Sequence, residues 1–75
     1  MKDFKKCILP CELLKIGDII EYENGKQAKI IDIRKIKKTN VQVFKQIETK
    51  NYIEVHSVIY PNNLEIQILR KFKND

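Results

Sequence analysis

The chain lacks any long run of apolar residues, since none extends beyond a few positions. A helix that spans a bilayer needs about 20 such residues, so we expect no membrane segment and no membrane partner. The charged residues among the first six positions are not followed by an apolar stretch of signal-peptide length. These absences predict a cytoplasmic protein, in which Cys7 and Cys11 stay reduced.

Metal ligands and catalytic groups are equally scarce. Cys7 and Cys11 have the C-x3-C spacing of a zinc half-site, but the only histidine, His56, is far away in the sequence. We therefore expect two small buried thiols and no metal site. Ser57 follows His56 on a predicted strand, where neighbouring side chains point to opposite faces, so the two cannot act together. The sequence predicts no catalytic residue, no cofactor and no enzymatic activity.

What is present suffices for one small domain. The 75 residues lie near the lower limit for a self-sufficient core, so few side chains are available to line a catalytic cavity. We expect a single domain over residues 1–75, with an N-terminal arm at 1–15 and a frayed tail at 73–75.

The predicted arm contains one helical turn over residues 10–15. Proline suits the first position of a helix, as at Pro10, and Gly17 follows the end of the segment. The apolar side chains of this region are expected to enter the core, and they are Leu13, Leu14 and Ile16.

Positive charge is concentrated in one segment of the chain. The formal net charge is +5, and residues 29–38 hold five basic residues against a single acid, Asp32. A local surplus of cations on a small barrel predicts a surface that faces phosphates. The basic residues of this segment are Lys29, Arg34, Lys35, Lys37 and Lys38.

A hairpin is predicted in the first third of the chain. Residues 19–23 form a short strand that leads into Asn24-Gly25, and this pair supplies both positive φ angles of a type I′ turn. A two-residue loop would set Glu23 opposite Lys26, which favours that register by charge.

The returning strand of this hairpin carries an irregularity. Ile30 and Ile31 are adjacent, so their side chains must face opposite sides of the sheet. The pattern predicts a β-bulge or sharp bend near residues 30–32, of the kind that small barrels use to close.

Three further strands are predicted from a period of two in side-chain polarity, at residues 41–47, 53–59 and 64–68. A three-residue loop at 49–51 and a turn at 60–63 would make them a meander of neighbouring strands.

In this register the side chains of the meander sort onto two faces. Ile47 would lie opposite Ile53, and Asn51 would take the left-handed conformation that such a loop requires. The residues expected in the core include Ile53, Val55 and Ile59.

The opposite face of the meander is predicted to carry aromatic side chains. Phe44 would pair with His56, with Tyr52 and Tyr60 on the same face of one strand and Lys71 nearby. Such a platform is typical of base stacking, worth about 1–3 kcal/mol per base. Two alternatives remain open at this point: a second small core beneath the N-terminal arm, or a protein interface.

The residues Leu-Lys-Ile-Gly-Asp-Ile-Ile at 14–20, the turn Asn24-Gly25 and the strand at 30–33 resemble the opening of Src-homology-3-like small barrels such as Tudor and KOW domains. The resemblance covers about twenty residues. It implies an all-β, five-stranded antiparallel β-barrel, with an OB-like barrel as the second choice. It implies no catalytic residue, and the chain lacks the tryptophan of a proline-peptide groove.

The sequence therefore predicts a small, basic, non-enzymatic module that binds nucleic acid. The alternative is a protein-interaction module, an adaptor or inhibitor of the kind that mobile elements encode, docking on a larger partner as a monomer or an edge-strand homodimer. The predicted binding residues are Lys29, Arg34, Lys35, Lys37, Lys38, Phe44, Tyr52, His56, Tyr60 and Lys71.

Overall fold

The computed structural model describes residues 3–71, which form six antiparallel β-strands and one short 3-10 helix. The strands are β1 (Phe4–Pro10), β2 (Ile19–Glu21), β3 (Gln27–Ile36), β4 (Asn40–Glu48), β5 (Ile53–Pro61) and β6 (Glu65–Lys71), and the 3-10 helix is Cys11–Leu13. Within these residues no helix has the length and apolar character needed to cross a membrane. The prediction of an all-β chain is confirmed.

All six strands belong to one open sheet in the order β1-β6-β2-β3-β4-β5. The prediction of five strands is wrong, because the segment predicted as an N-terminal arm forms β1. Seven residue pairs join β1 to β6 along their whole length. The strand is also held by its side chains, since Leu9 is buried in the core and Cys7 packs against it. The predicted tail at 73–75 lies outside the described residues.

One apolar core gathers side chains from nearly the whole sheet. Its buried members are Leu9, Cys11, Leu14, Ile20, Ile30, Val41, Val43 and Ile68. Because strands near both ends of the strand order contribute to this single cluster, the sheet must coil around it.

The predicted helical turn forms as the 3-10 helix and covers one end of the core. Cys11 and Leu14 are buried there, whereas Leu13 and Ile16 are 56% and 65% exposed. The expectation that the apolar side chains of this segment enter the core is therefore right for Leu14 and wrong for the other two. The Cys11 N–H donates to the Leu64 carbonyl at 2.8 Å, which ties the helix to the segment before β6.

The predicted first hairpin forms, but with a three-residue loop. The Tyr22 N–H donates to the Lys26 carbonyl at 2.8 Å, and the Gly25 N–H donates to the Tyr22 carbonyl at 2.9 Å. Gly25 has φ +83°, as expected for a type I turn followed by a glycine bulge. The one-residue change in register sets Ile20 opposite Ala28, so that both are buried in the core.

The predicted bulge in the next strand is confirmed. The pairing of β3 with β4 shifts between Ile30 and Asp32, which leaves Ile31 without an opposite residue. Ile30 is fully buried on the core side. Beyond the bulge the pairing resumes with Asp32 opposite Phe44, and Ile33 then lies opposite Val43, so the apolar phase is restored.

The loop between β4 and β5 has four residues rather than the predicted three. Glu48 lies opposite Ile53, and the loop closes through the Thr49 N–H, which donates to the Tyr52 carbonyl at 2.9 Å. The Thr49 hydroxyl donates to the same carbonyl at 2.7 Å. Asn51 does not take the predicted left-handed conformation, which among the described non-glycine residues is adopted by Lys37 with φ 54°.

β6 does not pair with β5, so the predicted three-strand meander is wrong. The turn between them ends at Leu64, whose N–H donates to the Pro61 carbonyl at 3.1 Å. The chain then crosses the sheet, and β6 inserts between β1 and β2. This central position suits β6 because the adjacent residues Ile68 and Leu69 are both buried, one on each face.

A buried ion pair holds together three distant parts of the chain. Arg70 on β6 donates from Nε to Asp18 Oδ1 at 2.9 Å and from Nη2 to Asp18 Oδ2 at 2.8 Å. Its Nη2 also donates to the Leu13 carbonyl at 3.0 Å, and the Lys15 N–H donates to Asp18 Oδ2 at 2.8 Å. The hydrogen bond to Asp18 raises the pKa of Arg70, while burial opposes this rise. The pair therefore joins the loop before β2, the 3-10 helix and β6.

Replacing Asp18 with asparagine should lower the free energy of unfolding by about 3 kcal/mol. This is the low end of the range for breaking a buried pair, because the Arg70 side chain stays 29% exposed. Urea denaturation measures the change. The matched control is Asp32→Asn, whose carboxylate meets Arg34 at 3.7 Å on an exposed surface, and it should cost less than about 1 kcal/mol. Equal losses in the two variants would contradict a central role for the Asp18–Arg70 pair.

Candidate binding surfaces

The predicted aromatic platform does not form, because its members lie on different faces of the sheet. Phe44 lies opposite Asp32 on β3 and Ser57 on β5, whereas His56 lies opposite Lys45. Residues that are directly opposite share a face, so Phe44 and His56 point to opposite sides. The cause is the extra loop residue between β4 and β5, since a shift of one residue exchanges the two faces of a strand.

The two tyrosines of the predicted platform are also separated. Tyr60 is partly buried and packs against the core. Tyr52 lies in the loop before β5 and is 56% exposed. Tyr60 is therefore a structural residue, and Phe44 is the one member of the predicted platform that remains on the outer face of a strand.

Lys45 occupies a core position that the sequence prediction missed. Its side chain follows Val41 and Val43 on the core face of β4, and the residue is only 8% exposed. Lys45 Nζ donates to the Tyr22 hydroxyl at 2.8 Å and lies 5.4 Å and 5.9 Å from the ring centroids of Tyr22 and Tyr60. Burial lowers the pKa of Lys45, but the hydrogen bond and charge interactions with the two tyrosines outweigh it and raise the pKa. The alternation that puts Val41 and Val43 on the core face also puts Lys45 there, and this was the available signal in the sequence.

The predicted basic strip divides between two faces of the molecule. Arg34 lies on the outer face, with its guanidinium 5.1 Å from the Phe44 ring centroid and 3.7 Å from Asp32 Oδ2. Lys35, by contrast, lies opposite Val41 at the end of the core face. The arginine is thus already engaged by an aromatic ring and a carboxylate.

The remaining lysines of the strip surround the turn between β3 and β4. Lys37 and Lys38 are exposed there, and together with Lys35 they border an open pocket of about 340 Å³. The other charged residue of this pocket is Glu12, which offsets part of the positive charge.

A single row of opposed residues defines the outer face across the sheet. From β1 to β5 the row is Lys6, Leu69, Ile19, Lys29, Gln46 and Val55, each directly opposite the next. Phe44 lies two positions from Gln46 on β4, and Lys71 lies two positions from Leu69 on β6, so both share this face. Lys29, Lys71, Arg34 and Phe44 are therefore the predicted binding residues that the fold brings to one side.

One opening on the outer side is a groove of about 530 Å³, here called the basic groove. Its apolar members are Phe4, Ile16 and Ile19, and its charged members are Lys15, Asp18, Lys29, Arg70 and Lys71. The Asp18 carboxylate is occupied by Arg70 and by the Lys15 N–H. The three lysine ammonium groups make no ion pair within residues 3–71, so the groove carries a surplus of three positive charges.

A second exposed feature, here called the β5 stripe, consists of Ile53, Val55 and Ile59. These residues are 59%, 59% and 54% exposed, although the predicted register placed them in the core. They occupy the outer face of β5, the last strand in the sheet order, beside the partly buried Phe44. Several exposed apolar residues on one face of a strand are a feature of interaction surfaces, although Ser57 separates Val55 from Ile59 here.

The reactive side chains of the described residues include a surface histidine and two cysteines. His56 Nε2 lies 3.1 Å from Glu54 Oε2 at the surface, and Ser57 faces the other side of the sheet. Both cysteines are free thiols, and burial raises the pKa of Cys11. Residues 3–71 bring no three histidine, cysteine, aspartate or glutamate side chains into one metal-binding group.

Comparison of the chain with family models, with curated proteins and with solved structures found no match. The class of molecule that the fold and surfaces define is a small, basic, all-β domain with a charged groove and an apolar edge strand.

The Lys45 cluster predicts a non-additive pair of substitutions. Tyr22→Phe should lower the free energy of unfolding by about 1–3 kcal/mol, because it removes the hydroxyl that accepts from a buried ammonium group. In the Lys45→Met background the same substitution should cost less than about 1 kcal/mol, because the methionine leaves no ammonium group to satisfy. Urea denaturation of the four chains provides the double-mutant cycle. Equal costs of Tyr22→Phe in both backgrounds would show that the bond to Lys45 contributes nothing.

Proposed function

We propose that the protein is a small non-enzymatic module that binds nucleic acid through the basic groove. The observation that carries this proposal is the placement of Lys15, Lys29 and Lys71 around one opening, with no carboxylate of the described chain to neutralise them. Phosphate contacts by lysine and arginine supply most of the affinity of non-specific nucleic-acid binding.

The geometry of the groove supports this use of the lysines. Asp18 lines the same groove, but both of its oxygens accept hydrogen bonds from Arg70, which removes its repulsion of a phosphate. The lysine side chains are long and flexible, so they can follow a backbone with phosphates in several positions. Phe4, Ile16 and Ile19 supply apolar surface within the groove. Stacking of a base on the Phe4 ring would add affinity without sequence preference.

The proposal keeps part of the residue set predicted from the sequence. Lys29 and Lys71 line the groove, and Arg34 and Phe44 lie on the same face of the sheet. We propose no role in nucleic-acid contact for Tyr60, because it packs into the core.

We also infer that the coiled sheet is a variant of the Src-homology-3-like barrel, with β1 added outside β6. Two observations support this inference. The first hairpin, with its Gly17-Asp18 start, forms where the resemblance predicted it, and strands near both ends of the sheet order share one core. In this interpretation a cytoplasmic binding module uses the outer face of the barrel.

A second candidate function is protein binding, and the β5 stripe favours it. Three apolar side chains that are each more than half exposed lie on one face of an edge strand. A partner that buried them completely would gain about 1.5–3 kcal/mol of transfer free energy for each side chain. The two functions use different parts of the outer face and can be separated by mutation.

Binding of oligonucleotides should weaken linearly with salt on logarithmic axes. With three lysines engaged, the slope of log K against log salt should be about −2 for a single strand and about −2.7 for a duplex. Lys29→Ala should reduce the size of the single-strand slope by about 0.7 and weaken binding at every salt concentration. Fluorescence anisotropy with labelled single-stranded and duplex oligonucleotides measures both quantities.

The matched control is Lys38→Ala, which removes the same charge from the turn after β3, roughly 25 Å from Lys29 by the rise of a strand. It should leave the slope unchanged. If Lys38→Ala weakens binding as much as Lys29→Ala, the groove is not the site. A dissociation constant above about 10⁻⁴ M at low salt for both oligonucleotides would reject nucleic-acid binding altogether.

A further inference from the structure

The free edge of β5 is a feature that nucleic-acid binding leaves unused. β5 is the last strand in the sheet order, and within residues 3–71 no strand pairs with the edge of β5 that points away from β4. It is nine residues long, and an edge strand of this length presents a row of unpaired N–H and C=O groups to another chain. The backbone bonds of the 3-10 helix reach Asn62 and Leu64, beyond the end of β5.

The edge of β5 also lacks the charges that usually prevent pairing. Exposed edge strands are commonly protected by lysine, yet β5 contains no lysine or arginine in a chain that has fifteen of them. Its one acidic residue, Glu54, contacts the His56 imidazole at 3.1 Å. The other edge strand, β1, carries Lys5 and Lys6. Two copies with a net charge of +5 each would repel over most of their surfaces and least at β5.

The apolar pattern of β5 is self-complementary. In an antiparallel pair related by a two-fold axis perpendicular to the sheet, odd-numbered residues lie opposite odd-numbered residues, so outer faces match. With Ser57 on the axis, the whole of Ile53–Pro61 overlaps its copy. Val55 then lies opposite Ile59 of the second copy, and the two β5 stripes merge on one side.

We infer that the protein forms a symmetric dimer through antiparallel pairing of β5 with β5 of a second copy, with Ser57 on the two-fold axis. The pairing satisfies the free backbone groups of both edges and joins two six-stranded sheets into one. It partly covers the apolar side chains that each chain alone leaves exposed. The inference is independent of nucleic-acid binding, because the basic groove lies on β1, β2, β3, β6 and the loop before β2, away from β5.

Sedimentation equilibrium of the full chain tests the dimer. The average mass should rise from 8.9 kDa toward twice that value as the concentration approaches about 1 mM, where even a dimer with a millimolar dissociation constant is partly populated. Val55→Lys should give the single-chain mass, because it places a charge within the paired edge. Its matched control, Ile8→Lys, changes an exposed apolar residue of the opposite edge strand and should stay dimeric. Circular dichroism of both variants shows whether each remains folded.

The position of the axis is tested by cysteine substitution. Ser57→Cys should form an intermolecular disulfide with oxidised glutathione, because residues on the axis are directly opposite, about 4.5–5.5 Å apart between Cα atoms. Val55→Cys should not, since its two copies would be separated by four strand positions, roughly 14 Å. The native cysteines, present in both variants, serve as the internal control.

A single-chain mass over the whole concentration range would overturn the inference, and so would a dimer that persists in folded Val55→Lys. Equal cross-linking of the two cysteine variants would overturn the proposed register. A monomer whose β5 instead binds an added peptide of the Ile53–Pro61 sequence would show an edge that accepts strands without forming the dimer, which also counts against it. Added salt should strengthen the dimer by screening the net charges, the opposite of its effect on nucleic-acid binding.

Discussion

The ion pair between Asp18 and Arg70 is the interaction on which the rest of the structure depends. The two residues are 52 positions apart, and their pairing fixes β6 beside β2 and anchors the 3-10 helix through the Leu13 carbonyl. The same loop is paired to β3, because the Gly17 N–H donates to the Ile30 carbonyl at 2.8 Å. The pair also shapes the basic groove, since it neutralises Asp18, the one carboxylate that lines the groove within residues 3–71. The same ion pair therefore contributes both to the fold and to the charge of the basic groove.

The elements of the fold were largely predictable, whereas their registers were not. Alternating polarity identified β4, β5 and β6, and Asn24-Gly25 located the first hairpin. The β2–β3 and β4–β5 loops, however, are each one residue longer than predicted. Because side chains alternate along a strand, that single residue moved Ile53, Val55 and Ile59 from the predicted core to the surface. The sequence held no local signal for the longer loop.

The position of β6 could not be predicted for a different reason. It depends on long-range contacts with β1 and on Arg70 meeting Asp18, and neither leaves a periodic pattern in the sequence. The predicted site was wrong because the predicted register was wrong: the aromatic platform required Phe44 and His56 to share a face. Lys29 and Lys71 remain candidate binding residues because both lie on the outer face in the observed register. The outer face therefore carries two separate surfaces, the basic groove at one end and the β5 stripe at the other.

The register of β4 against β5 is the claim on which the β5 stripe and the proposed dimer rest, and cross-strand nuclear Overhauser effects measure it directly. The structure predicts contacts between the backbone protons of Val43 and Val58 and between those of Val41 and Tyr60. Such contacts would place the β5 stripe outside and Tyr60 in the core. Contacts that instead join Val43 to Ser57 and Val41 to Ile59 would return the stripe to the core and contradict the account.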